Sequence, residues 1–146
     1  MHRLNVVILQ DRPFHLMSLH QAFNALGIFR VRVAEDQATA RRVLARNRTV
    51  DLLVLDHALA PDAGIDLLEQ MARVPRNRAV LLIGRAEPGA IDLAAEARQR
   101  GVWVLGELRW PLSMFGLRGL LQRLRGGSTN GSGQDIASVT SVEHAH

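Results

Sequence analysis

The strongest constraint on this chain is a rhythm. Five short apolar runs alternate with longer amphipathic stretches, the pattern of a parallel sheet covered by helices on both faces. The runs are Leu4 to Leu9, Phe29 to Ala34, Val50 to Leu55, Ala79 to Ile83 and Val102 to Leu105. None is long enough to span a bilayer. Phe29, Val31 and Val33 alternate with Arg30 and Arg32, which suits an edge strand with one wet face. Val50 to Leu55 is the most hydrophobic run and is expected at the centre of the sheet.

Between the runs lie helical patterns. Leu16, Leu19, Phe23 and Leu26 share one face of a helix that starts at Pro13 and stops at Gly27. Asp36 can cap a second helix reaching about Asn47, whose outer face carries Arg41, Arg42, Arg46 and Arg48. A third helix is expected from Gly64 through Leu67, Leu68 and Met71, a fourth from Ala90 to Arg100, and a last from Pro111 through Leu124. Five strand–helix units within residues 1–125 predict an α/β domain, a flavodoxin-like doubly wound parallel sheet of order 2-1-3-4-5. From Gly126 the sequence Gly-Gly-Ser-Thr-Asn-Gly-Ser-Gly has too little apolar surface to order itself, so 126–146 reads as a flexible tail or linker.

Composition removes several classes of function. With no cysteine there are no disulfides and no thiolate metal sites, which fits a reducing cytoplasm. The N-terminal apolar run lacks a small-residue cleavage site, so neither a secretory signal nor a membrane partner is expected. The net charge is +4 and every basic residue is arginine, none lysine. These arginines are dispersed and aromatics make up only 4%, so nucleic acid is not an expected partner. No Walker-type loop or nucleophile elbow is present, and the first strand–helix turn, Gln10 to His15, has no glycine that would let backbone approach a pyrophosphate. A nucleotide- or flavin-binding enzyme is therefore the weaker reading.

In such a sheet ligands gather at the carboxyl ends of the strands. Gln10 to Pro13, Asp56 to Ala58 and Gly84 to Arg85 are expected to meet there. Asp11 and Asp56 each end an apolar run. As a close pair they need a cation or a proton between them, and magnesium suits such a carboxylate set. Aspartates after strands also cap the following helix, and Asp11 stands two residues before Pro13. On spacing alone both readings stand. His57 is expected to point off the other side of the strand end to the surface, and His15 and His20 to lie partly exposed on the first helix.

The order and punctuation of these segments resemble the receiver domain of two-component response regulators. Leu4 to Pro13 resembles that family's first strand and acidic turn. Val50 to Asp56, followed by Leu59, Pro61 and Gly64, resembles the strand bearing its phospho-accepting aspartate, and Gly101 to Pro111 its last strand and closing proline. The stretch Leu105 to Pro111 carries a weaker likeness to receivers that precede EAL-type cyclic-di-GMP phosphodiesterase domains.

The resemblance implies Asp56 as phosphoryl acceptor, with Asp11, Asp56 and the Ala58 carbonyl as magnesium ligands. It implies a sensor histidine kinase or phosphotransfer protein upstream, an output protein or domain downstream, and no enzymatic activity beyond self-catalysed phosphoryl acceptance. Three positions depart from the family. Gln10 stands in place of a second acid, Gly84 in place of a hydroxyl residue, and Trp110 in place of a lysine. Fewer charges around the phosphoryl oxygens slow acceptance, and without the hydroxyl the switch has nothing to pull. Magnesium binding is correspondingly weakened. Arg12, Arg85 or Arg109 are the candidate replacements for the missing positive charge, against the reading that all three point to solvent. The alternative function is a degenerate, phosphorylation-independent receiver serving as a dimerisation or docking module, with Trp103, and an apolar patch around Trp103 and Trp110, as its interface.

Overall fold

The structure, a computed structural model, describes residues 3–74 and 78–130, with side chains through residue 126. The elements run β1 (Asn5–Leu9), α1 (Pro13–Ala25), β2 (Arg30–Ala34), α2 (Gln37–Arg46), β3 (Leu52–Asp56), α3 (Pro61–Ala72), β4 (Ala79–Ile83), α4 (Leu93–Gln99), β5 (Trp103–Leu108) and α5 (Met114–Asn130). All five strands are parallel, in the order β2-β1-β3-β4-β5. The expected architecture is the one observed.

Strands β3 and β4 are buried at every position, because each has a paired strand on both edges and helices on both faces. Their alternating side chains feed two separate cores. Leu53 and Leu55 pack with Ala40, Leu67, Leu68, Leu93 and Ala97 under α2, α3 and α4. Leu52 and Val54 pack with Leu19, Phe23, Leu117 and Leu121 under α1 and α5. Edge strand β2 is largely exposed, with Phe29 and Val33 open to solvent.

Helix ends depart from the sequence reading where backbone geometry outweighs periodicity. Helix α3 begins at Pro61, not Gly64, because a proline at the first position loses no hydrogen bond there. Helix α4 is short, starting after Asp92, whose carboxylate accepts from the backbone N–H groups of Ala94 and Ala95. Asp36 caps α2 as expected, accepting from Thr39 N at 2.8 Å. Pro111 does not open α5. It follows a cis peptide bond, and Ser113 starts the helix by accepting from Gly116 N. Helix α5 continues through the glycines to Asn130, past the boundary expected at residue 126, and 131–146 lie outside the described residues. No helix among the described residues is long and apolar enough to cross a membrane.

Candidate functional site

Strand register decides which side chains meet at the carboxyl rim. Ile8 lies opposite Val54, so two residues further on Gln10 lies opposite Asp56. On the other side Asp56 pairs with Ile83 and Ile83 with Leu108, which brings the turn at Gly84 and the segment ending at Trp110 to the same spot. Asp56 shares its face with Leu52 and Val54 and therefore points toward α1 and α5.

Asp56 is 4% exposed and its carboxylate accepts three hydrogen bonds. Its Oδ1 accepts from the backbone N–H of Ala58 at 2.8 Å. Its Oδ2 accepts from the Gln10 side-chain amide at 2.9 Å and from the Trp110 indole N–H at 3.1 Å. Gln10 is itself held, because its Oε1 accepts from the backbone N–H of Arg12 at 3.2 Å. Three neutral N–H groups thus stabilise one buried anion, which satisfies the requirement that buried charge be hydrogen-bonded.

A second layer covers the first. The His15 ring stacks on Trp110 with centroids 3.8 Å apart and planes 13° from parallel. Its Nδ1 lies 4.0 Å from Asp56 Oδ2, buried and without a hydrogen-bond partner among the described residues. Gly84 closes the other side at φ +89°, a conformation open to glycine and strained for any residue with a side chain. A Cβ at this position would lie 3.1 Å from Asp56 Oδ1. Glycine here is therefore more than a lost hydroxyl; the carboxylate packs into the space a side chain would need.

The other residues expected at this rim make none of the hydrogen bonds to Asp56. Asp11 is exposed and has no hydrogen bond or ion pair among the described residues, and it does not cap α1 either, since Arg12 holds that position. Arg12, Arg85 and Arg109 are exposed, and among the described residues no arginine lies within ion-pair distance of the Asp56 carboxylate. Their exposure agrees with the solvent-facing reading of these arginines, and the donors on Asp56 are Gln10, Trp110 and the Ala58 N–H. Trp103 is half-buried against the core under α1 and α5, and Trp110 is committed to Asp56. Neither tryptophan forms an exposed patch. The large exposed apolar side chains are instead Phe14, Met17, Phe29, Val33, Ile91, Met114 and Phe115.

His57 corrects another expectation. It does turn to the opposite face from Asp56, but that face is covered there, and its side chain is 1% exposed. Its Nε2 lies 3.1 Å from Glu107 Oε1. His15 is partly exposed on α1, as expected, and what sequence reading missed is its place beside Asp56. Its signal was position: a residue in the first turn of the helix leaving β1 stands over the rim where β1 and β3 end.

Whether magnesium suits this donor set depends on free lone pairs. A carboxylate offers about four acceptor positions, and Asp56 uses three. Gln10 turns its N–H₂, not its oxygen, toward Asp56. Asp11 is left as the one wholly uncommitted acid of the expected ligand set, Asp56 keeps about one acceptor position, and the Gln10 oxygen is taken by the Arg12 N–H.

Comparisons with known proteins agree with the geometry of the sheet. The matching family is "Response regulator receiver domain", over residues 6–104. A response regulator from Colwellia psychrerythraea superimposes with a TM-score of 0.68 at 17% identity, covering 85% of this chain and 98% of that one. The signal receiver domain of an HD domain-containing protein from Pseudomonas fluorescens Pf-5 gives 0.70 at 21% identity, covering 88% and 98%. The signal receiver domain of a modulated diguanylate cyclase from Desulfovibrio desulfuricans G20 gives 0.69 at 15% identity, covering 90% and 100%. None of the curated proteins compared matches the sequence. With the family matched over more than half its length and the fold matched throughout the sheet, the chain belongs to the response regulator receiver domains of two-component signalling.

Proposed function

We propose that this receiver works without phosphorylation, as a docking or dimerisation module fixed in one state. The observation that carries this reading is the triple capping of Asp56 by Gln10, Trp110 and the Ala58 N–H. A nucleophilic carboxylate must present a free oxygen to the phosphoryl group, and the metal-assisted reaction needs positive charge beside the transferred oxygens. Here neutral donors occupy Asp56, and His15 and Trp110 lie over it. The chain has no lysine to supply an ammonium. The donor set as arranged does not fit magnesium, so the reading needs no metal at Asp56.

The partner is then a protein surface in the cytoplasm. The test is incubation with a small acyl phosphate and excess magnesium, followed by intact mass measurement. The expected spectrum contains unmodified protein alone. A population heavier by one phosphoryl group, lost in an Asp56→Asn variant, overturns the proposal and restores Asp56 as acceptor.

A further inference from the structure

A second cluster of chemically active side chains lies on the opposite face of the sheet, built from three elements. His57 comes from the turn after β3, Asp92 from the residue before α4, and Glu107 from β5. One ring nitrogen of His57 and one carboxylate oxygen from each acid lie within 4.8 Å of one another. The acids are exposed, while the imidazole is 1% exposed. One of its nitrogens, Nε2, faces Glu107 at 3.1 Å; the other, Nδ1, is buried with no hydrogen-bond partner among the described residues. The nitrogen that faces the acids is Nε2, so it is the one placed to join them around an ion, in the tautomer that carries the ring proton on Nδ1.

We propose that His57, Asp92 and Glu107 form a binding site for a borderline divalent cation, zinc being the fitting ion. One imidazole and two carboxylates make three protein ligands, leaving a fourth, tetrahedral position for water or a partner's side chain. The imidazole selects against magnesium and calcium, which prefer all-oxygen shells, and favours zinc and its transition-metal neighbours. Tetrahedral ligands of zinc stand about 3.3 Å apart for bonds near 2.0 Å, so these groups need only small side-chain adjustments to close around an ion. Asp92 can join without giving up its other role. Its Oδ1 accepts both helix-capping N–H groups, and Oδ2 has no such commitment.

The two acids would otherwise repel one another, and a dication neutralises both. The ion would tie the start of α4 to β5 and to the residue after Asp56. This site shares no ligand with the Asp56 arrangement and stands whether or not Asp56 accepts phosphate.

The test uses the full chain, stripped with a chelator and titrated with zinc chloride by calorimetry near neutral pH. Saturable binding of one ion is expected, and cobalt substitution should give the visible absorption of a four-coordinate site. Glu107→Gln keeps the exposed side chain's shape and should weaken binding about tenfold or more. His57→Gln should do the same, with circular dichroism reporting whether it still folds. A His144→Ala/His146→Ala variant should bind as the parent does, separating this site from chelation by the terminal histidines. The proposal is overturned by no saturable binding at millimolar zinc, by Glu107→Gln binding as tightly as the parent, or by loss of binding in the terminal-histidine variant.

Discussion

Gln10 is the residue on which the Asp56 arrangement turns, because it replaces a negative charge with a donor at hydrogen-bond distance. Exchanging Gln10 for glutamate would set two carboxylates side by side in a nearly solvent-free position, removing one hydrogen bond and adding repulsion. Loss of a hydrogen bond to a buried charge costs roughly 1–3 kcal/mol. Gln10→Glu is therefore expected to lower the unfolding free energy by that order in chelator, read from urea denaturation. Magnesium should recover part of the loss in the variant and leave the parent unchanged. Equal magnesium response in both proteins would mean the native carboxylate is already open to a cation.

At the scale of elements, packing between helices is most exacting where glycine permits contact. Gly64 on α3 is buried against Leu93 of α4, and a Cβ there would meet both Leu93 methyl carbons at 2.8 Å. Leu93 is 1% exposed and has little room to yield. Overpacking of this kind costs about 1–3 kcal/mol, partly offset by the roughly 1 kcal/mol that alanine gains over glycine in a helix. Gly64→Ala should accordingly lose stability, and should lose less when Leu93 is alanine, a coupling that a double-mutant cycle measures.

The same scale shows what was legible in advance. Continuous apolar runs revealed every strand but β2, which alternation revealed, and β4 matched its expected bounds because both of its faces are covered and no polar position blurs the ends. Strand β5 ran on to Leu108, since Gly106 and Glu107 break the apolar pattern without breaking the ladder. At the rim, segments were legible but pairings were not. Gln10, Gly84 and Trp110 stood out only as departures from a family pattern. That Gln10 and Trp110 both donate to one oxygen of Asp56 depends on register and on the fold of the β5–α5 connection, which periodicity does not encode. His57 was misread because alternation gives the direction of a side chain and says nothing of what covers it.

Across the whole molecule, electrostatic support is peripheral and sits mainly between helices. The Asp66 carboxyl is held below the usual aspartate value, first by the Gln37 side-chain amide and then by Arg41, which bonds it at 2.6 Å. Asp36 is likewise lowered, chiefly by the backbone N–H of Thr39 at the start of α2. A carboxyl whose folded value is depressed stabilises the fold fully above its unfolded value. That contribution fades as pH falls through the folded value. For these two groups the window lies near and below the ordinary value of 3.8. Stability is therefore expected to fall on acidification through that range. Asp66→Asn should flatten this limb in denaturation curves taken at a series of pH values, with a small effect at neutrality because the pair is solvent-screened. An unchanged acid limb would assign the loss to other carboxyls.

Asp56 and His57 are neighbours in the chain, yet one reaches the compartment beneath α1 and α5 and the other the compartment bordered by α4. A single peptide plane is the partition between them. The N–H of that plane donates to the Ile83 carbonyl at 2.9 Å, so the sheet ladder holds it and each side chain is kept to its own side.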